Sequence, residues 1–441
     1  MSVQTTQTAA VSIDENGARI MQRVTLHLIP FLLACYFISF LDRVNVAFAA
    51  LQMNKDLGFS QSVYGLGSGL FFVTYCLFEV PSNRMLGRVG ASRWIARIMF
   101  TWGICAAGLA FVVGPYSFYA VRLLLGAAEA GFFPGVLYFL TLWFPVAYRS
   151  RIIGMFMAGV AISGIVGAPL SGFLLSLDGL AGLRGWQWLF IIEGAPAILL
   201  APLCLVLLKD SPAQAGWLAE ADRTWLMRTL ANEHEASDVK HGDKYWLVVF
   251  DPRVLFLALI YFTNVCLING ILFFLPMIVK SFGLSNTQTG FVSAIPSLCG
   301  LFAVVWWGRR SDKIGNRPLA AGIANGLAGL ALLASVLVAD PVVRIACVSV
   351  SFAATLSFTA PFWSIPPALL SGPARAAGYA AISSLGVLGG FVAPTIIGYL
   401  KDVTGDFRLG LGIVAIAAIV AAAALHTIGG RMVRAAETRS A

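Results

Sequence analysis

Twelve times along this chain an apolar run of roughly 20 residues is bounded by Gly, Pro or a cluster of charge. That length is what an α-helix needs to cross hydrocarbon. A membrane strand needs only about 10 residues and alternates polar with apolar positions, so the runs predict helices. Their centres fall near Tyr36, Phe72, Gly103, Glu129, Gly164, Ala197, Cys266, Cys299, Gly329, Phe358, Gly389 and Ala418. Of the 441 residues, 59% are hydrophobic and 12% charged, with a mean hydropathy of +0.82. A soluble domain is about half apolar and about a quarter charged, so this chain expects a bilayer as its solvent. A net charge of +9 would suit nucleic acid, but the basic residues stand in short clusters between apolar runs, and no nucleic-acid partner is expected. All seven cysteines lie inside apolar segments without a C-x-x-C pair, which predicts neither disulfides nor a metal site. The polar start leads into a span of full length carrying Asp42 and Arg43, unlike a cleavable signal.

Between Lys209 and Phe250 the chain turns polar and splits the spans six and six. The expected organisation is an N-terminal tail (1–25), a six-helix bundle (26–208), a linker (209–250), a second six-helix bundle (251–430) and a tail (431–441). Arg84, Arg88 and Arg93, Arg149 and Arg151, Arg309, Arg310, Lys313 and Arg317, Arg375, the linker and both tails put most basic residues on one side. Lys55, Arg184, Lys280, Lys401 and Arg408 are what the other side holds. By the positive-inside rule both termini and the linker are cytoplasmic. Arg43, Arg97, Arg122 and Arg344 remain, at or within spans. The halves also repeat. A shift of 225 residues carries Gly58-Phe59-Ser60-Gln61 and Gly65 onto Gly283-Leu284-Ser285-Asn286 and Gly290, Gly90 onto Gly315, and Pro169 onto Pro394. An all-α membrane protein of two pseudo-symmetric six-helix bundles, with a central cavity suited to alternating access, is the expected fold.

No Lys follows a Gly, so the phosphate-binding loop G-x-x-x-x-G-K-[ST] is absent and energy must come from a gradient. His27, His234, His241 and His426 avoid the middle of the spans, which argues against an intramembrane enzyme. A transporter-like sensor and a facilitator without proton coupling stay open as alternatives.

Gly308-Arg309-Arg310-Ser311-Asp312-Lys313-Ile314-Gly315-Asn316-Arg317 resembles the G-x-x-x-D-x-x-G-x-R loop of the major facilitator superfamily. Asp312 is expected to cap a neighbouring helix end while the arginines stay at the surface. The first-half copy keeps Arg88, Gly90 and Arg93 but has Asn83 and Gly87 where Gly and Asp would stand. Leu41-Asp42-Arg43-Val44-Asn45, Phe78-Glu79-Val80-Pro81-Ser82-Asn83, Arg122 with Gly126 and Glu129, Trp186-Gln187-Trp188 with Phe190 and Glu193-Gly194, and Leu388-Gly389-Gly390-Phe391 together resemble the anion:cation symporter family. That branch includes phthalate, tartrate, sugar-acid and 4-hydroxyphenylacetate permeases and organic-anion carriers of vesicles and lysosomes. The resemblance implies proton-coupled uptake of an organic carboxylate.

Asp42, Arg43, Arg122 and Glu129 lie inside spans, where each charge costs at least a few kcal/mol unless paired or hydrated. Arg122 and Glu129 share a helix face but stand roughly 10 Å apart, so each needs a partner elsewhere, with helix 1 the expected source. Asp42 and Asn45 share one face of helix 1, and Arg43 points about 100° away. Under the 225-residue shift the four map onto Leu267, Ile268, Cys347 and Ala354, and that asymmetry favours function over bundle packing. With both carboxylates ionised the arginines would be neutralised internally; with both protonated the site would attract an anion. The expected roles, supported by the resemblance, are proton sites at Asp42 and Glu129, a substrate carboxylate on Arg43, and coupling through Arg122. A static buried network is the alternative. Glu79 is expected to pair with Arg97, and Glu193, with Arg184 and the Trp186–Trp188 pair, to anchor helix 6 at an interface.

Tyr75, Asn264, Asn269, Trp363 and Ser383 are the candidates for reading the rest of the substrate. Ser383 and Val387 stand where many family members carry Asn, which leans toward an aromatic acid or small dicarboxylate over a sugar acid. No cofactor is expected beyond the proton as coupling ion. The expected partners are the organic anion, protons and lipid, for a monomer in a bacterial inner membrane.

Overall fold

In the computed structural model, residues 15–236, 245–370 and 373–434 are described. Lys240, His241 and Lys244 of the linker and Arg439 of the tail lie outside them. Sixteen α-helices occur among the described residues: α1 (Glu15–Asp56), α2 (Gln61–Val89), α3 (Ala91–Gly108), α4 (Pro115–Glu129), α5 (Phe132–Trp143), α6 (Val146–Leu174), α7 (Gly185–Leu207), α8 (Glu220–Ala236), α9 (Pro252–Lys280), α10 (Asn286–Ile314), α11 (Arg317–Leu337), α12 (Pro341–Trp363), α13 (Pro366–Leu369), α14 (Pro373–Val387), α15 (Gly389–Thr404) and α16 (Arg408–Ala424). They make twelve spans long and apolar enough to cross a membrane, with α4–α5, α12–α13 and α14–α15 each counting as one broken span. Helices satisfy every backbone group internally, which hydrocarbon demands. Leu199, Phe302 and Val420 are exposed on the outer surface, as lipid-facing side chains would be.

The residues that repeat are those the backbone needs. Gly58 and Gly283 take positive φ at equivalent turns, and Ser60 and Ser285, two residues on, cap the N-termini of α2 and α10. Gly90 and Gly315 end those helices, again with positive φ. The third landmark is tertiary: a Cβ on Gly65 would strike the Pro394 carbonyl, and one on Gly290 would sit 3.0 Å from Pro169 Cα. These are the same contact made twice by the 225-residue repeat. Through it α2 packs on α15 and α6 on α10, joining the two halves.

This joint lies at the end remote from both described termini. There the Asp402 carboxylate also accepts from the backbone N–H groups of Gln61 and Ser62, at 3.0 and 2.7 Å. Toward the other end of α2, Leu77, Phe78 and Val80 are exposed. On that side α1 begins well before the apolar run, and Arg19 and Arg23 bind Asp222 of the linker helix α8 at 3.0 and 3.2 Å.

The loop signature departs from expectation in its cap. Asp312 is exposed and pairs with Arg317 at 2.8 Å, while Asn316 accepts from Leu319 N–H and caps α11. Asn316 is the residue adjoining the helix start, within reach of its free N–H groups; Asp312 still lies inside α10. Gly308 has open space around it. In the first-half loop, where Gly87 replaces the signature Asp and Arg88 is exposed, Asp210 from beyond α7 accepts from Ser92 N–H at 2.7 Å.

Candidate functional site

Arg43 and Asp42 are neighbours on α1 that serve different neighbourhoods, as the 100° step of a helix requires. Arg43 reaches α4, where its Nε and Nη2 both donate to Glu129 Oε1, at 3.0 and 2.7 Å. Ser39, one turn earlier on the same face, donates to the same oxygen at 2.9 Å. Glu129 is the last residue of α4; Gly131, at φ 87, follows and the chain restarts as α5. The break ends the helix beside the carboxylate that must meet α1. The Arg43 guanidinium lies 5.1, 5.6 and 5.3 Å from the ring centres of Phe40, Phe71 and Tyr75. Its side chain is 26% exposed while that of Glu129 is 1% exposed, so the pair is buried on one partner and reachable on the other.

Asp42 turns inward. Its Oδ2 accepts from Trp102 Nε1 of α3 at 2.6 Å and its Oδ1 from Asn45 at 3.0 Å, and it meets no cation among the described residues. Arg122 also departs from the expected pairing. Fully buried, it donates through Nε to the Gly67 carbonyl at 3.2 Å and through Nη2 to that of Ser68 at 2.8 Å, with Phe71 5.0 Å away. Of the two arginines expected to be neutralised by carboxylates, only Arg43 is. Arg122 sits a turn and more below the end of α4, level with α2, whose carbonyls are what it can reach.

The expected partners of the remaining acids fail for equally local reasons. Arg97 stacks on Trp94 at 4.1 Å, and Glu79 keeps an unpartnered buried Oε2. Arg184 pairs with Asp56 and Asp178, at 3.3 and 3.6 Å, at the end of α7. Glu193 lies two turns deeper and accepts from Ser171 at 2.8 Å; it does not anchor an interface with Arg184.

Among the neutral candidates, Tyr75 stands beside Arg43. Asn264 does not: it bonds Asn325 Oδ1 and the Thr355 carbonyl, at 3.3 and 3.2 Å, tying α9 to α11 and α12. Asn269 donates to Val265 of its own helix at 2.9 Å. Trp363 stacks on Tyr379 and meets Tyr261 edge-on, with centres 5.3 and 5.0 Å away. Ser383 is half-buried on α14, and Gly386 nearby packs against the Tyr261 ring. Ser39, Phe40 and Tyr261 were not singled out. The signal was spacing: Ser39 is four residues from Arg43, and Tyr261 three from Asn264.

An ion pair open on its cationic side, ringed by aromatic faces, can trade its carboxylate for one from solution once its own is neutralised. Comparison with known proteins places the chain as a whole. The chain matches the Major Facilitator Superfamily over residues 32–394 and again over 257–434. It is 45% identical over 440 residues to an Agrobacterium vitis protein named "Putative tartrate transporter", covering 98% of this chain and 96% of that one. It is 42% identical over 394 residues to the "Quinolone resistance transporter" of Acinetobacter baumannii, covering 89% and 91%. A bacterial homologue of the human lysosomal transporter Spinster, solved inward-facing and unoccupied, superposes with a TM-score of 0.74 at 18% identity, over 95% of this chain and 98% of that one. The chain belongs to the major facilitator superfamily. It is an integral membrane protein whose relatives are transporters, and membrane transport is the class of activity they define.

Proposed function

We propose that this protein carries a small organic carboxylate across a bacterial inner membrane together with protons, by alternating access, with both termini on the cytoplasmic side. The observation that carries the reading is the Arg43–Glu129 pair, its arginine partly exposed and its carboxylate buried, replaced by Ile268 and Ala354 in the other half. Protonation of Glu129 removes the charge that holds Arg43, and the substrate carboxylate takes its place on Nε and Nη2. Proton and anion then favour each other's binding, as linkage requires. Arg122, a buried cation bonded to the α2 turn at Gly67 and Ser68, adds to the positive field and ties α4 to the helix that closes against α15. Asp42 is a second proton site, whose charge state is felt by α3 through Trp102. The tartrate name of a relative covering nearly the whole chain favours the dicarboxylate side of the expectation.

The test is uptake into proteoliposomes under an imposed pH gradient, acid on the face remote from the termini, with labelled tartrate, phthalate, 4-hydroxyphenylacetate and galactonate. Accumulation of tartrate that rises as that face is acidified, collapses with a protonophore and is lost in Glu129→Gln is the expected result. Exchange without accumulation would point to an uncoupled exchanger. Wild-type rates and pH dependence in both Asp42→Asn and Glu129→Gln would leave the four charges as a static network.

A further inference from the structure

Glu193 is a buried carboxyl to which this transport scheme gives no task. It lies wholly inside the first bundle on α7. Its Oε1 accepts from Ser171 Oγ of α6 at 2.8 Å, and its Oε2 has no hydrogen-bond partner. Asn45 of α1 stands beside it and gives its amide N–H to Asp42 Oδ1 at 3.0 Å, so that Asn45 Oδ1 is buried without a donor as well. Each buried acceptor left unpaired costs about 1–3 kcal/mol. A proton on Glu193 Oε2 turns that unpaired acceptor into a donor.

The surroundings call for that proton. The groups facing Glu193 are Asp42 and Asn45 from α1 and Ser171 from α6, while Trp102 of α3 donates to Asp42; none is a cation. Arg184 is on the same helix but roughly 13 Å along its axis, occupied with Asp56 and Asp178. Among the described residues these two carboxyls are faced by no cation and have one amide beside both, so ionising both would set two like charges in the same interior. Under the 225-residue repeat Asp42, Asn45, Ser171 and Glu193 become Leu267, Gly270, Ile396 and Ala418. The second bundle packs the same helices without any of these polar groups.

We propose that Glu193 is a proton-carrying site of the transport cycle, coupled to Asp42 through Asn45. The inference rests on the proton-coupled reading above. The step is a simple protonation: a proton from water forms an O–H bond at Oε2, the buried oxygen that lacks a partner, and it leaves again as a proton with no other bond made or broken. Glu193 acts away from the substrate site, through the α1 segment that also bears Arg43.

Infrared difference spectroscopy of the purified full-length protein during a pH titration reads this directly, through the carbonyl stretch of protonated carboxylic acids. Glu193→Gln should lose a component of that band that Asp42→Asn and Glu129→Gln both retain. Ser171→Ala, which removes the donor on Oε1, should move the same component to higher frequency, and it decides the matter if Glu193→Gln does not fold. In proteoliposomes the pH dependence of tartrate uptake should flatten in Glu193→Gln. An unchanged band in both variants would overturn the proposal. So would loss of the component with a wild-type pH profile of uptake, which would make Glu193 a protonated but static group. If the wild-type protein shows no proton-driven tartrate uptake, the transport reading fails on that substrate, while the band still decides where the proton resides.

Discussion

Arg43 holds its partner with two donors on one oxygen, a grip that depends on the fork of the guanidinium. Lysine would keep the charge and lose a donor, and a charge-assisted hydrogen bond is worth about 1.5–3 kcal/mol. Arg43→Lys should therefore raise the KM for tartrate by about 10- to 100-fold with a smaller effect on maximal rate, measured as initial uptake at saturating proton gradient. An unchanged KM would mean that Arg43 does not hold the substrate. At this scale the sequence told much about which residues matter and less about whom they meet. Asp42, Arg43, Arg122 and Glu129 stood out because a charge inside an apolar run costs energy that must be recovered somewhere. Arg122 went to carbonyls of α2, and Asn264 to the core of the second bundle, because partners on other helices depend on rotation and depth that a one-dimensional pattern does not contain.

Between elements, contact is made backbone to backbone where glycine permits it. A Cβ on Gly172 would lie 2.6 Å from the Asn286 carbonyl and 3.0 Å from Gly290 Cα, and one on Gly65 would strike Pro394. Overpacking of this kind costs typically about 1–3 kcal/mol. Here the strain falls on one conformation, because only the state with these helices in contact contains it. Gly65→Val and Gly172→Val should each disfavour that state by roughly 5- to 150-fold and slow net uptake accordingly. Gly412→Ala on α16, with nothing within 4 Å of the added carbon, is the control expected to match wild type. Equal uptake in all three would show that the seam need not close during turnover. The repeat made these positions legible in part: Gly65, Gly290, Pro169 and Pro394 announced themselves by register. Gly172 did not, because glycine also serves ordinary close packing between membrane helices.

For the whole molecule, twelve spans and a duplicated half follow from length and register alone, since hydrocarbon leaves helices almost no alternative. Which end of the bundle is open is a different kind of fact, because both states use the same sequence and differ by a few kcal/mol. The structure has the remote end closed, with Asp402 of α15 receiving Gln61 and Ser62 N–H groups from the start of α2, while the linker helix α8 is bound to α1 within the first bundle through Asp222. Alternating access requires the first contact to break once per cycle and leaves the second intact. In a protein whose native cysteines are replaced, a short bifunctional thiol reagent joining Ser62→Cys to Asp402→Cys should therefore abolish uptake, whereas joining Arg19→Cys to Asp222→Cys should leave most of it. The comparison controls for reagent and for lost polar contacts, since each pair removes an interaction seen in the structure. Uptake that persists with the Ser62–Asp402 link complete would mean that the halves do not part at that end. Loss with the linker pair alone would mean that α8 has to leave α1 for transport to proceed.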